Sequence, residues 1–418
     1  MIRADIDEGS MLNFNSGDDD YLRKLATSSW TQIGADIDGP AGQNVAISAD
    51  ARTIAVGDDG MVNVYYYDSG AVNWIQLGSS LYANGNGFGY SVSLSSNGKI
   101  LAAGSKVYNS SQGYVSIYEY IGGSWAQVGG DLIGSAQGDQ FGYSLCLSAD
   151  GITLAVGAPG SLSTDSGLVK IFKYESSTWN EIGYINGNDP GGEFGWSISL
   201  SGDGLILIVG EYLYGTKLGR VRVFQYEINA WSQFGADLIG STIGDEFGYD
   251  VSISKDGTTI AVSAWRATYS NSMGRVYMYR YEAVSDNWTS FGGYIDGSSK
   301  ELLMLVSLSS DGETVAIGAD WADIDMNVNT NDGVVIVYSY DSVSDTWARV
   351  YGNMWGKTAH DHFGYSVALS DDGSTIIASA NYRTIDNGAA RVYTVSAFVL
   401  VPCLLFAWSW ERAPCDEA

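Results

Sequence analysis

Phe141-Gly142-Tyr143-Ser144-Leu145-Cys146-Leu147-Ser148-Ala149-Asp150-Gly151 reads as one β-strand and the turn that reverses it. The first eight residues alternate large apolar and small side chains at a period of two, so one face of the strand is bulky and the other nearly flat. Ser148-Ala149-Asp150-Gly151 supplies an Asp-Gly pair, the chemistry of a two-residue hairpin turn in which both central positions need positive φ. The apolar run from Thr153 to Val156 is therefore expected to return antiparallel. Gly167-Leu168-Val169-Lys170-Ile171-Phe172 and Trp179-Asn180-Glu181-Ile182-Gly183 follow as third and outermost strands.

The same order recurs at intervals of about 50 residues, and each copy carries a Trp on its outermost strand: Trp30, Trp74, Trp125, Trp179, Trp231, Trp288 and Trp347. No segment has the period of a helix. A four-stranded sheet with two such faces cannot bury both alone, so its neighbours must cover it, as in a propeller of blades packed face to face. The chain starts with an outermost-strand signature, Trp30-Thr31-Gln32-Ile33-Gly34, and its last strand signature, Ala389 to Tyr393, is a third one. The two ends are expected to complete one blade, a velcro seam that leaves no open sheet edge. The expected fold is all-β: a seven-bladed β-propeller of four-stranded antiparallel blades. Two copies are degenerate, the first with Gln43-Asn44-Val45 in place of Phe-Gly and Asp50-Ala51 at its turn, the sixth with Leu303-Met304. Drift at positions that need only volume accounts for both.

Residues 27–396 form the propeller on this reading, between a polar acidic extension, 1–26, and an apolar tail, 397–418. A net charge of −27, from 48 acidic and 21 basic residues, argues against nucleic acid and anionic lipid as partners, because phosphate neutralisation needs clustered Lys and Arg. It suits a basic partner, bound cations or solubility as a monomer. Three Cys make no disulfide scaffold, and Cys146 is expected as a small buried apolar residue. Residues 1–26 hold no basic-then-apolar leader. The tail run Phe398 to Trp408 is shorter than the roughly 20 residues of a membrane span. It is read as a strand or plug packed on the propeller, as a non-native terminus, or as a point of membrane association.

Phe141-Gly142 followed by Gly157-Ala158-Pro159 spells the FG-GAP repeat, and the units from about residue 30 to 396 resemble those of the integrin α-chain propeller. The resemblance implies an extracellular or cell-surface protein of the adhesion type. Integrin-type blades carry calcium in an Asp-rich loop between first and second strands. Here that connection is only Ser-x-Asp-Gly, so those calcium sites do not transfer. Asn109-Ser110-Ser111 and Asn287-Trp288-Thr289 are glycosylation acceptors if the chain is exported.

Strand alternation places the loop between second and third strands on the same face as the link into the next blade's Phe-Gly. Tyr108, Tyr212, Trp265, Trp321 and Tyr382 stand at corresponding positions there, with Pro159 in a sixth blade. Rings beside Asn, Asp and Ser suit a glycan or the apolar anchor of a protein ligand, or they plug the face by packing on neighbouring loops. Asp323, Asp325, Asn327, Asn329 and Asp332 put oxygen ligands at alternating positions, a possible calcium loop; the alternative is a solvated polar loop. His360 and His362 bracket Asp361 with no third ligand for a transition metal. No nucleophile elbow, phosphate loop, His-Glu-x-x-His or zinc-spaced Cys pair occurs, and Ser254-Lys255-Asp256-Gly257 only echoes a sialidase Asp-box. The sequence thus points to a non-catalytic recognition module. A hydrolase or lyase in the central channel and a structural scaffold are the alternatives.

Overall fold

The structure, a computed structural model, describes residues 29–38, 44–58, 60–82, 87–161, 166–269, 272–298, 301–323, 330–381 and 388–396. Seven antiparallel sheets follow one another around a ring, each with the path inner, second, third and outermost strand. In blade 3 these are Ser144–Leu147, Thr153–Ala158, Leu168–Glu175 and Thr178–Asn186. Blade 7 is assembled from both ends of the described chain: Ser29–Gln32 pairs with Ala389–Ser396, Trp30 opposite Val395. The velcro closure and the blade count agree with the sequence.

Burial follows the alternation. Second strands have no exposed face; all six residues of Thr153–Ala158 are buried between neighbouring blades. Each interblade layer forms its own apolar cluster, such as the one that joins Ile171 and Val169 of blade 3 to Phe194, Leu207 and Val209 of blade 4.

The Ser-x-Asp-Gly turn differs from the expected two-residue hairpin. Gly151 N donates to Ser148 O, a type I arrangement, and only Gly151 has positive φ, 74°. The Ser and Asp side chains then close the turn. Ser148 Oγ donates to Asp150 Oδ1 at 2.6 Å, Ile152 N donates to the same oxygen, and Thr153 N donates to Ser148 Oγ. All seven blades repeat this pattern, with Asn97 standing for Asp in blade 2. Backbone bonds chain the turns from blade to blade, from Ala49 N to Ser96 O through Ser310 N to Asp371 O. The Lys255–Asp371 ion pair, 2.6 Å, spans the same end of the ring.

Six of the seven repeated Trp residues pack on the preceding blade against the glycine of that blade's own Trp-x-x-x-Gly run, whereas Trp30 meets Tyr351 edge-on there. Trp74 lies on Gly34, Trp125 on Gly78, Trp179 on Gly129, Trp231 on Gly183, Trp288 on Gly235 and Trp347 on Gly292. Five of the indoles also donate to a backbone carbonyl of that blade, at 2.8 to 3.2 Å. Asn287 Oδ1, on one glycosylation sequon, accepts Ala236 N in the same junction.

At the closure Arg391, fully buried, is paired with Asp361 at 2.7 Å and Asp36 at 3.1 Å, and Lys357 reaches Asp36 at 2.6 Å. Burial alone would raise the Asp36 carboxyl, but bonds from Lys357, Gln32 and Arg391 outweigh it and hold the group far below the usual carboxylate range.

Ala51 occupies the turn position held by Gly151 in blade 3 and takes φ 57°, where a Cβ is strained. Ala51→Gly is expected to raise unfolding free energy by about 1 kcal/mol in chemical denaturation. An unchanged midpoint would contradict the strain.

Candidate functional site

Phe88, Phe141, Phe194, Phe247 and Phe363 are fully or almost fully buried and pin the start of their inner strands. The glycine that follows each has φ between 84° and 92°, a bend that redirects the chain and presents the next residue to the central channel. Those next residues are Tyr90, Tyr143, Trp196, Tyr249 and Tyr365. They line a cavity of about 230 Å³ at one end of the channel, with Asp250 and Asp320 in its wall.

Four of the rings form an unbroken run across blades 2 to 5. Tyr90 and Tyr143 have centroids 5.2 Å apart, Tyr143 and Trp196 4.5 Å, and Trp196 and Tyr249 5.9 Å. Lys106 caps one end, its Nζ 3.6 Å from the Tyr90 centroid and 4.6 Å from that of Tyr143. Burial first, and then the neighbouring Tyr90, pushes the Tyr143 phenol well above its usual range. Tyr249 is raised by burial and by Tyr365, Asp320, Tyr90 and Asp250 around it. Both phenols are therefore neutral hydrogen-bonding groups at physiological pH.

Two of the loop aromatics join this run. Tyr212 lies 4.5 Å from Trp196 and 5.6 Å from Tyr249, and Trp265 lies 5.3 Å from Tyr249. Trp265 is held by Glu246, which accepts its Nε1–H at 2.6 Å and pairs with Lys217 at 3.1 Å, while the Arg266 guanidinium stacks 4.5 Å over the indole. Tyr108 does otherwise: it packs edge-on against buried Tyr114 at 4.8 Å and covers the blade core. Trp321 is half-exposed and meets the His362 ring at 5.5 Å. Tyr382 lies outside the described residues. Of the four described loop aromatics, Tyr212 and Trp265 join the channel run and Tyr108 and Trp321 make other contacts; the rings that come together are mainly those after Phe-Gly, which the sequence marks as aromatic in five copies.

Comparison with protein-family models and with curated proteins finds no match for the chain.

Asp325, Asn327 and Asn329 lie outside the described residues. Asp323 and Asp332 are buried, and Asp323 Oδ1 accepts Thr330 N at 2.8 Å and Asn331 N at 2.7 Å, closing the loop on its own backbone. Among the described residues no group of three or more His, Cys, Asp or Glu is placed to hold a metal ion. His362 Nδ1 instead lies 3.5 Å from buried Asp320, whose carboxyl is raised by burial.

Asp250 stands where other Phe-Gly blades have Ser91, Ser144, Ser197 and Ser366. Those serines link blades: Ser91 Oγ donates to Gly142 O and Ser144 Oγ to Gly195 O, both at 2.7 Å, and Val45 N donates to Ser366 Oγ. Blade 6 is one residue shorter here. Leu303, fully buried, fills the Phe position, Met304 N bonds Gly318 O as Gly89 N bonds Gly104 O, and no channel aromatic remains. Asp250 spans the altered junction, with Oδ1 accepting Ser197 Oγ at 2.7 Å and Oδ2 accepting Val306 N at 2.8 Å. In blade 1 the register of Asn44 opposite Gly57 matches Ser91 opposite Gly104. Ala41-Gly42-Gln43 therefore aligns with Phe-Gly-Tyr, two places earlier than the sequence reading has it, and lies outside the described residues. Cys146 sits at the position of Ser93 and Ser252, and burial raises its thiol to about 11.

Burial raises the Asp250 carboxyl to about 6, against the lowering effect of Ser197, Val306 and Val251. The folded state then keeps a proton that the unfolded chain releases, so this group's contribution to stability falls as pH rises from roughly 4 to 6. Asp250→Asn is expected to flatten that slope in chemical denaturation followed across the window. Asp250→Ala should cost about 1–3 kcal/mol by stripping Val306 N–H of its acceptor; a neutral substitution would contradict the bridging role.

Proposed function

We propose that the protein is a non-catalytic recognition module of the adhesion type, binding a protein or glycan ligand at the aromatic mouth of its channel. The observation that carries this proposal is the run Tyr90, Tyr143, Trp196 and Tyr249 lining one open cavity, with Tyr212 and Trp265 packed at a tilt against the run. Such rings offer broad contact to a sugar face or an apolar side chain with little entropy lost on binding. The neutral phenols and Asp320, with Ser91, Ser144 and Asn44 in the wall, supply polar groups that orient a ligand against the rings.

The FG-GAP placement rests on the motifs themselves. Gly157 of Gly-Ala-Pro faces the carbonyl of Gly195 in the next blade's Phe-Gly, so the two halves of the motif meet across each regular junction. An extracellular or cell-surface setting follows from that likeness. Calcium is a candidate cofactor through Asp323 and Asp332, and it enters as an arm of the test.

A hydrolase or lyase in the channel has Asp250 and Asp320 in its favour, since both line the cavity. Both Asp250 oxygens, however, are engaged in the wall, and the phenols that would serve as nucleophiles are held neutral. A pure scaffold leaves the open aromatic cavity without a use.

A glycan and matrix-protein array probed with and without calcium tests this function. Trp196→Ala/Trp265→Ala is expected to lose at least about tenfold in affinity for the ligand found. Trp321→Ala, outside the run, should bind as the parent does, with thermal unfolding as the folding control. Equal binding by the double variant, or turnover of an arrayed glycan, would overturn the proposal.

A further inference from the structure

The opposite end of the ring has a pattern of its own. The strand order puts the hairpins between third and outermost strands at this end. At or beside their tips stand Val72, Ile121, Ile228, Val284 and Val343, which are 63%, 56%, 97%, 96% and 94% exposed. Single exposed aliphatics are ordinary. Five in the same hairpin of successive repeats are not, because nothing in the blade requires them: blade 3 turns through Ser176-Ser177 instead. Val72 and Ile228 are strained as well, at φ 52° and 50°, where a β-branched residue is an outlier and Gly or Asn is preferred. A solvated, strained aliphatic contributes nothing to the isolated fold, and such an outlier invites a functional explanation.

Blade 7 has no hairpin here. Ser396 lies opposite Ser29 at the place where the other blades turn, and the chain continues from this point into Ala397-Phe398-Val399-Leu400-Val401. The apolar sequence therefore departs from the same end that carries the tips. Among the described residues no helix is long and apolar enough to cross a membrane.

Five aliphatics spread around the rim of a ring do not fit one groove of a globular partner. A flat, deformable apolar layer meets all of them at once. Charge then selects the layer: Glu227, Glu282, Asp286, Asp341 and Asp345 flank the tips, and the chain carries a net −27, so anionic headgroups are repelled. A second copy of the chain meets the same repulsion, acidic tip against acidic tip. We infer that this face seats on a lipid bilayer with zwitterionic headgroups, its aliphatic tips entering the headgroup boundary. The aromatic mouth then faces away from the bilayer.

Cosedimentation of the full chain with phosphatidylcholine vesicles tests the inference. The parent is expected to pellet with neutral vesicles, and more weakly with phosphatidylserine-containing vesicles at low salt. Ile228→Ser/Val284→Ser/Val343→Ser should keep the parent's unfolding midpoint and partition at least about tenfold less. A parent that stays in the supernatant, or a triple variant that partitions equally, overturns the inference. A lipid-free dimer in sedimentation velocity that the triple variant abolishes overturns it in favour of self-association.

Discussion

Two backbones must pass each other with no side chain between them at each regular junction of this ring. Gly57, Gly104, Gly157, Gly210 and Gly318 on second strands face the carbonyls of Gly89, Gly142, Gly195, Gly248 and Gly364 in the following blade, and a Cβ on any of them would collide with that carbonyl. The close approach lets Ser91 and Ser144 reach across to the neighbouring carbonyl and brings the apolar faces of adjacent sheets into contact. Two junctions differ. Blade 7 has Ser379 at this position, ahead of blade 1, which lacks the Phe; blade 5 has Ser263, and the blade that follows it has Leu303-Met304 instead of Phe-Gly. There the longer Asp250 side chain makes the link that serine makes elsewhere.

The Phe-Gly glycine on the other side of this contact also builds the site. Its left-handed backbone turns the next residue out of the blade and into the channel, so an assembly requirement repeated in each regular blade delivers aromatics to one mouth. Their distribution around the ring is uneven. Blades 2 to 5 supply the contiguous rings, while blades 1 and 6 contribute Asn44 and Met304-Leu305 to the wall. The cavity thus has an aromatic side and a more polar and aliphatic side, an asymmetry that suits one ligand in one orientation. The other end of the channel is drawn together by the linked Ser-x-Asp-Gly turns and the Lys255–Asp371 pair, so the open mouth and the acidic, aliphatic-tipped face lie at opposite ends of the ring.

Much of this architecture is legible in the sequence because it is written repeatedly. Strand alternation, the Trp on each outermost strand and the split blade at the ends all imply a closed ring. Alternation assigns a residue to a face, however, and does not name what that face touches. Each Trp therefore reads as structural without revealing that six of the seven lie on a glycine of the preceding blade. The Asp-Gly pair reads as a two-residue turn because the Ser and Asp hydrogen bonds that stabilise a type I turn are invisible to a dipeptide rule. Loop aromatics are harder still: Tyr108 and Tyr212 occupy matching positions, yet one fills its own blade and the other reaches the channel. The Asp323 loop shows the same limit, since alternating oxygens in sequence include one carboxylate already spent on backbone N–H groups.

The most direct measurement is the urea unfolding free energy of Gly157→Ala against Gly130→Ala. Both sites are free of the positive-φ constraint, but the Cβ at residue 157 would meet Gly195 O and Ser144 Oγ, whereas nothing lies within 4 Å of the one at residue 130. The interlock predicts a loss of about 2 kcal/mol or more for Gly157→Ala, or failure to fold, with Gly130→Ala near the parent. Two variants of equal stability would contradict it.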